Sequence, residues 1–158
     1  MARAGQRRSD AARGSGTGSA AAGTAARRIR RMNAEQLLTA LLNDSGVVWE
    51  RRTGEIRFRF TSGAMTWETA CRCLEDQVLV YGRYPFAVPA DRRVQALETC
   101  GGINSRIVRG GMYLTPEGRV VFRTWADLRD AYTAREALAR ALEYNAAVMA
   151  RFWGRFSP

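Results

Sequence analysis

The segment Glu55-Ile56-Arg57-Phe58-Arg59-Phe60-Thr61 alternates strictly between apolar and polar side chains. Successive side chains of a strand point to opposite faces, so Ile56, Phe58 and Phe60 face a core while Arg57 and Arg59 face water. A helix would scatter both sets around its circumference. The chain is therefore expected to build an antiparallel sheet with one covered and one wet face, since parallel sheets are buried on both sides. Val47 to Arg51 reads as a strand joined to Glu55–Thr61 through the turn Arg52-Thr53-Gly54. After Ser62-Gly63 a third strand runs from Met65 to Cys73, with Trp67, Thr69, Cys71 and Cys73 on one side and Glu68, Ala70 and Arg72 on the other. Glu75-Asp76 turns the chain into a fourth strand, Gln77 to Tyr84. Its two faces, Val78 and Val80 against Leu79 and Tyr81, are both apolar, which fits a central strand or a face that meets another chain. Pro85 is expected to end it.

Helices flank these strands. Asn33 and Gln36 make a capping box ahead of Leu37, Leu38, Leu41 and Leu42 at helical spacing, and Asp44-Ser45-Gly46 supplies a stop. Pro89 fits the first turn of a second helix with Val94, Leu97 and Cys100 inward, interrupted by Gly101-Gly102. Residues 111–125 read as a hairpin, Gly111–Leu114 and Arg119–Trp125, around Thr115-Pro116-Glu117-Gly118. Thr133 and Glu136 are then read as a capping box for a long last helix carrying Leu138, Ala141, Leu142, Val148, Met149 and Phe152. The expected fold class is α+β, an antiparallel β-sheet with flanking helices in the order α-β-β-β-β-α-β-β-α.

Residues 1–31 differ sharply. They are rich in Ala, Gly, Ser and Arg, and beyond Ile29 nothing there can seed a core, so disorder is expected. Two segments follow: a tail over 1–31 and one domain over 32–158. Met32 abuts the helix cap and is, beside Met1, a second candidate translation start. The formal charge of +10 is concentrated in the tail, where eight arginines face one aspartate for a net +7; the domain has 17 arginines against 14 acids. Every basic residue is Arg and none is Lys, a bias that GC-rich coding produces without demand from chemistry. The composition therefore implies at most weak, nonspecific nucleic-acid binding through the tail. No apolar stretch approaches the roughly 20 residues of a membrane span, and no apolar signal core follows the first arginines. A bacterial cytoplasm is the simplest location.

Catalysis without any histidine falls to carboxylates, thiols or tyrosines. Glu75 and Asp76 are explained by a polar turn. Cys71, Cys73 and Cys100 read as reduced, packed thiols, because Cys71 and Cys73 share one strand side and no CxxC spacing supports a metal. Neither Gly101-Gly102 nor Gly110-Gly111 sits in a phosphate-binding pattern, and Asn104 reads as a helix-end cap or a left-handed residue. No catalytic residue, metal or cofactor is expected. The candidate binding surface is Arg57, Arg59, Arg72 and Arg123 on the wet face, with Arg119 near them, plus Trp153 and Phe156. Trp125, Phe152, Trp153 and Phe156 fit plain core, yet Trp153 and Phe156 lie near the chain end, where exposed aromatics often signal an interface. A stripe of arginines beside aromatics suits single-stranded nucleic acid, whereas pairing with Glu50, Glu55 and Glu68 would make it an ordinary solvated face.

Several stretches in order resemble the YbjN family of candidate bacterial sensory transduction regulators. They are Thr66-Trp67-Glu68-Thr69; Leu79-Val80-Tyr81 with Tyr84-Pro85 and Val88-Pro89-Ala90-Asp91-Arg92-Arg93; and Ile103-Asn104 leading to Gly110-Gly111-Met112-Tyr113-Leu114. Gly118-Arg119-Val120-Val121-Phe122-Arg123-Thr124 and Tyr144-Asn145-Ala146-Ala147-Val148-Met149 complete the resemblance over about residues 34–156. The Arg-rich tail and Gly101-Gly102, where the family tends to continue a helix, depart from it. The resemblance implies a fold similar to that of type III secretion chaperones, which often dimerise and bind other polypeptides, and offers no catalytic residues. The reading is a non-enzymatic protein-binding or regulatory module with an unidentified protein partner and a possible homodimer. The alternative is a nucleic-acid-associated protein using the basic tail and the Arg-bearing sheet face.

Overall fold

A computed structural model describes residues 32–158; the expectations for 1–31 lie outside the described residues. Helix α1 (Ala34–Asp44) is followed by strands β1 (Trp49–Arg52), β2 (Glu55–Ser62), β3 (Met65–Cys73) and β4 (Gln77–Ala87). A 3₁₀ turn (Ala90–Arg92) leads into α2 (Arg93–Asn104), then β5 (Gly111–Leu114), β6 (Arg119–Asp127) and α3 (Ala134–Phe156). The class is α+β, in the expected element order. The strands form one antiparallel sheet in the order β1-β2-β3-β4-β6-β5. β4 is central, paired with β3 and β6; its Val78 and Val80 face the helices, whereas Leu79 and Tyr81 lie on the opposite face.

The capping box of α1 is present: the Asn33 side chain accepts from Gln36 N at 2.8 Å and Gln36 Oε1 accepts from Asn33 N at 3.1 Å. Thr53 (φ 52°) and Gly54 (φ 76°) make the tight β1–β2 turn, whose left-handed conformation matches the twist of the strands it joins.

The inner sheet face carries two clusters of buried side chains. Leu38 and Leu42 of α1 meet Ile56, Phe58, Cys71, Val78, Val80 and Leu138 in one; Trp67, Tyr84, Met112, Phe122, Ile103 and Met149 build the other. α3 spans both. It lies close to the sheet because Gly82 has no side chain: a Cβ there would come within 2.6 Å of Asn145 Oδ1 and 2.7 Å of Met149 Cγ. Asn145, 1% exposed, uses the approach to donate to Val80 O, Phe122 O and Thr124 Oγ1 at 3.3, 3.0 and 3.2 Å.

Five local expectations are corrected. β4 continues past Pro85 to Ala87, because a register shift between Arg83 and Ala87 spares the proline a ladder N–H. α2 buries Ala96, Cys100 and Ile103 and exposes Val94 and Leu97, since the intervening 3₁₀ turn, at three residues per turn, rotates the helix relative to a wheel started at Pro89. The helix also passes through Gly101-Gly102 without a break. Thr133 makes no side-chain cap, and Glu136 pairs with Arg140 instead of closing a box. Asn104 is neither a cap nor left-handed; its amide donates to Met112 O at 2.9 Å and accepts from Met112 N at 2.7 Å, pairing with the outer edge of β5 as a neighbouring strand would.

Candidate functional site

All three helices pack on the inner face, leaving the opposite face of the sheet uncovered among the described residues. Register fixes what that face displays. One rung runs Arg59, Glu68, Arg83, Val121, Tyr113 across β2, β3, β4, β6 and β5; the next runs Arg57, Ala70, Tyr81, Arg123, Gly111. A third carries Arg72, Leu79 and Trp125. Ala70 is fully buried without any helix above it, because the longer side chains on its rung overhang it.

The β2–β4 half is charged and partly compensated, Arg59 alone of its arginines having no acidic partner among the described residues. Glu55, 5% exposed, accepts from Arg57 Nε at 3.1 Å and from Arg83 Nη2 at 3.2 Å, and Arg72 approaches it to 3.9 Å. Glu68 accepts from Arg83 Nη1 at 3.3 Å and lies 3.8 Å from Arg57. Burial opposes the charge on Arg83, but its hydrogen bonds and attraction to Glu55 and Glu68 outweigh burial and hold its pKa above the ordinary value. The Arg83 guanidinium also lies 5.8 Å from the Tyr81 ring centroid.

The β4–β6–β5 half is aromatic. Tyr81, Tyr113 and Trp125 surround Leu79 and Val121, with Trp125 48% exposed. Arg123 stands among them and, among the described residues, has no acidic partner. Burial, then the nearby Tyr81, raises the Tyr113 pKa, so its hydroxyl stays a hydrogen-bond donor.

Of the expected surface, Arg57, Arg59, Arg72 and Arg123 share this face. Trp153 and Phe156 do not. Phe156 is buried and Trp153 partly so, on the helix side, where Trp153 meets Tyr84 and Phe86 edge-on at 5.5 and 5.2 Å between centroids. The α3 stripe carries them onto β4, which corrects the expectation of exposed aromatics. Arg83, absent from the expected set, is the hub of the charged half; its register opposite Glu68 was the available signal. The thiols lie elsewhere: Cys71 and Cys100 are buried, Cys73 is partly so, and all three are free. Burial pushes Cys100 up to about 11 and Cys71 higher still, so both stay protonated.

Among the described residues no helix is long and apolar enough to cross a membrane, and no group of His, Cys, Asp and Glu has the arrangement of a metal site. No family model matches the sequence, and no curated protein matches it. The structure does match the crystal structure of YbjN from E. coli, a candidate transcription regulator, with a TM-score of 0.61 at 9% identity, over 78% of this chain and 94% of that one. The chain has a YbjN-like fold.

Proposed function

We propose that the domain is a non-enzymatic protein-binding module with a regulatory role, and that its docking surface is the uncovered sheet face. The observation that carries this reading is the division of that face. In one half Arg57, Arg72 and Arg83 are already paired with Glu55 and Glu68, leaving Arg59 free; the other presents Tyr81, Tyr113, Trp125 and Arg123, the residue types that dominate protein interfaces. A nucleic-acid surface would keep its cations free for phosphate, whereas Arg57 and Arg83 here are committed to carboxylates. That favours a polypeptide partner. The regulatory role draws on the description of YbjN and on likeness of fold alone. A second copy of the chain meeting this face is the homodimeric form of the same reading.

The test is site-specific photo-crosslinking in cells. A crosslinker at Arg123 is expected to capture a discrete protein, and one at exposed Glu98 on α2 is not. Capture of nucleic acid at Arg123, or equal yields at both positions, would overturn the assignment. Crosslinks between two copies would identify the homodimer.

A further inference from the structure

A second surface lies where β6 outruns its neighbour. β5 pairs with β6 only from Val120 to Arg123, so Thr124–Asp127 has β4 on one side and no strand on the other. The direction of the backbone groups there follows from the ladder. Leu128 N donates to Asp76 O beside β4, and Thr115 N donates to Arg119 O beside β5. Peptide groups alternate sides along a strand, so even-numbered residues of β6 point to β4 and odd-numbered ones away from it. The N–H and C=O of Trp125 and Asp127 therefore face the open side, and among the described residues no other backbone hydrogen bond reaches them.

This edge is walled as well as free. Openings of about 270 and 500 Å³ run between it, the 108–109 loop and α3, lined by Val108, Arg109, Trp125, Ala137, Ala141 and Tyr144. Alanines at 137 and 141 keep the α3 wall low, and Val108, 91% exposed, forms the opposite rim. The charge is one-sided. The nearby acids Asp127 and Glu136 are paired with Arg129 and Arg140, whereas Arg109 has no acidic partner among the described residues. The other free edges differ: Asn104 already occupies that of β5, β1 carries Glu50, Arg51 and Arg52, and β2 beyond β1 carries Arg59 in an opening lined by Glu50, Arg52, Arg57 and Glu68. Charge on an edge strand discourages pairing.

We propose that the slot between the β6 edge and α3 binds an extended peptide segment of a partner protein, added as a short strand at Trp125–Asp127. Its apolar side chain packs against Val108, Ala141 and Tyr144, and an acidic side chain meets Arg109. Backbone pairing supplies affinity and the alternate side chains supply selectivity. The slot shares only Trp125 with the open face, through its backbone edge, and does not depend on that assignment.

The experiment is selection of phage-displayed random decapeptides on the full chain, followed by affinity measurement with the synthesised winners. Winners are expected to combine apolar and acidic residues, and to lose at least about tenfold in affinity with Ala137→Trp, which fills the slot, and with Arg109→Glu. N-methylation of alternate peptide bonds is expected to abolish binding, and Trp125 N–H is expected to gain exchange protection. Trp125→Pro, which deletes that donor, is the backbone test; should it fold poorly, the N-methyl peptides and the exchange measurement stand in its place. Glu98→Ala, exposed on α2 and outside the slot, is expected to leave affinity unchanged. Failure to select any peptide, or winners indifferent to Ala137→Trp and N-methylation, would refute the proposal. So would a dimer, seen by sedimentation, that Ala137→Trp dissociates, since the slot would then hold a second copy.

Discussion

Substituting Gly82 by alanine tests the close approach of α3 to the sheet. The added Cβ would lie 2.6 Å from Asn145 Oδ1, 2.7 Å from Met149 Cγ and 2.9 Å from Met149 Sδ, all well inside contact distance. Both neighbours are essentially fully buried and have little room to retreat. Forcing a methyl into such packing costs about 1–3 kcal/mol. Displacing Asn145 also weakens its bonds to Val80, Phe122 and Thr124, which puts the expectation near 2 kcal/mol, as each such bond contributes on the order of 1 kcal/mol. For a domain of this size that is a fall of roughly 8 °C in melting temperature, at about 4 °C per kcal/mol. Calorimetry and urea unfolding would measure it. Gly102→Ala is the control: it is helical, its Cβ would meet nothing within 4 Å, and it is expected to stabilise by about 0.5–1 kcal/mol. In an Asn145→Ala background the cost of Gly82→Ala is expected to shrink by about 1 kcal/mol, because one of the clashing atoms is gone. A neutral Gly82→Ala, or strict additivity with Asn145→Ala, would show that α3 does not rest on the sheet through this contact.

Asn104→Ala is expected to cost about 1–3 kcal/mol by stripping Met112 N and O of their partner, with faster amide exchange confined to β5. Trp153→Glu is expected to unfold the domain, because it drives a charge among Trp67, Tyr84 and Phe86; circular dichroism separates this from loss of a dimer in a folded protein. Glu55→Gln leaves Arg57 and Arg83 facing a neutral partner and is expected to destabilise by about 1–3 kcal/mol, read by urea titration. Stability is expected to fall with rising pH from about 9, the ordinary thiol value, toward about 11. The folded state keeps Cys100 and the more deeply buried Cys71 protonated in that interval while the unfolded chain releases both protons, and Cys100→Ala is expected to lessen the decline without abolishing it.

The strands were legible because period-two alternation survives any context: β3 runs from Met65 to Cys73 as read, and β2 gains one residue. The box at Asn33 and Gln36 was legible for a similar reason, as its whole geometry is local. What failed depended on partners distant in sequence. The inward face of α2 turns on a 3₁₀ turn that no apolar spacing announces, and Asn104 finds its partner in β5. Trp153 and Phe156 read as surface from their place in the chain, but α3 is long enough to lay them over Tyr84. The arginines of the wet face were visible as a set. Their division into matched and unmatched members was not, because it rests on the lateral order of strands and on Glu55 being buried among them.

α3 follows all six strands in chain order, yet it is the element that roofs both core clusters. A chain that has paired its strands but not yet docked α3 holds Val78, Val80, Phe122 and Trp67 open to water on one broad surface. Such a species is prone to self-association, so the docking of α3 sets how long the folding chain is exposed to it. Gly82 and the small residues Ala141 and Ala146 smooth that landing, and variants that roughen it are expected to lower the yield of soluble protein before they lower the stability of what has folded.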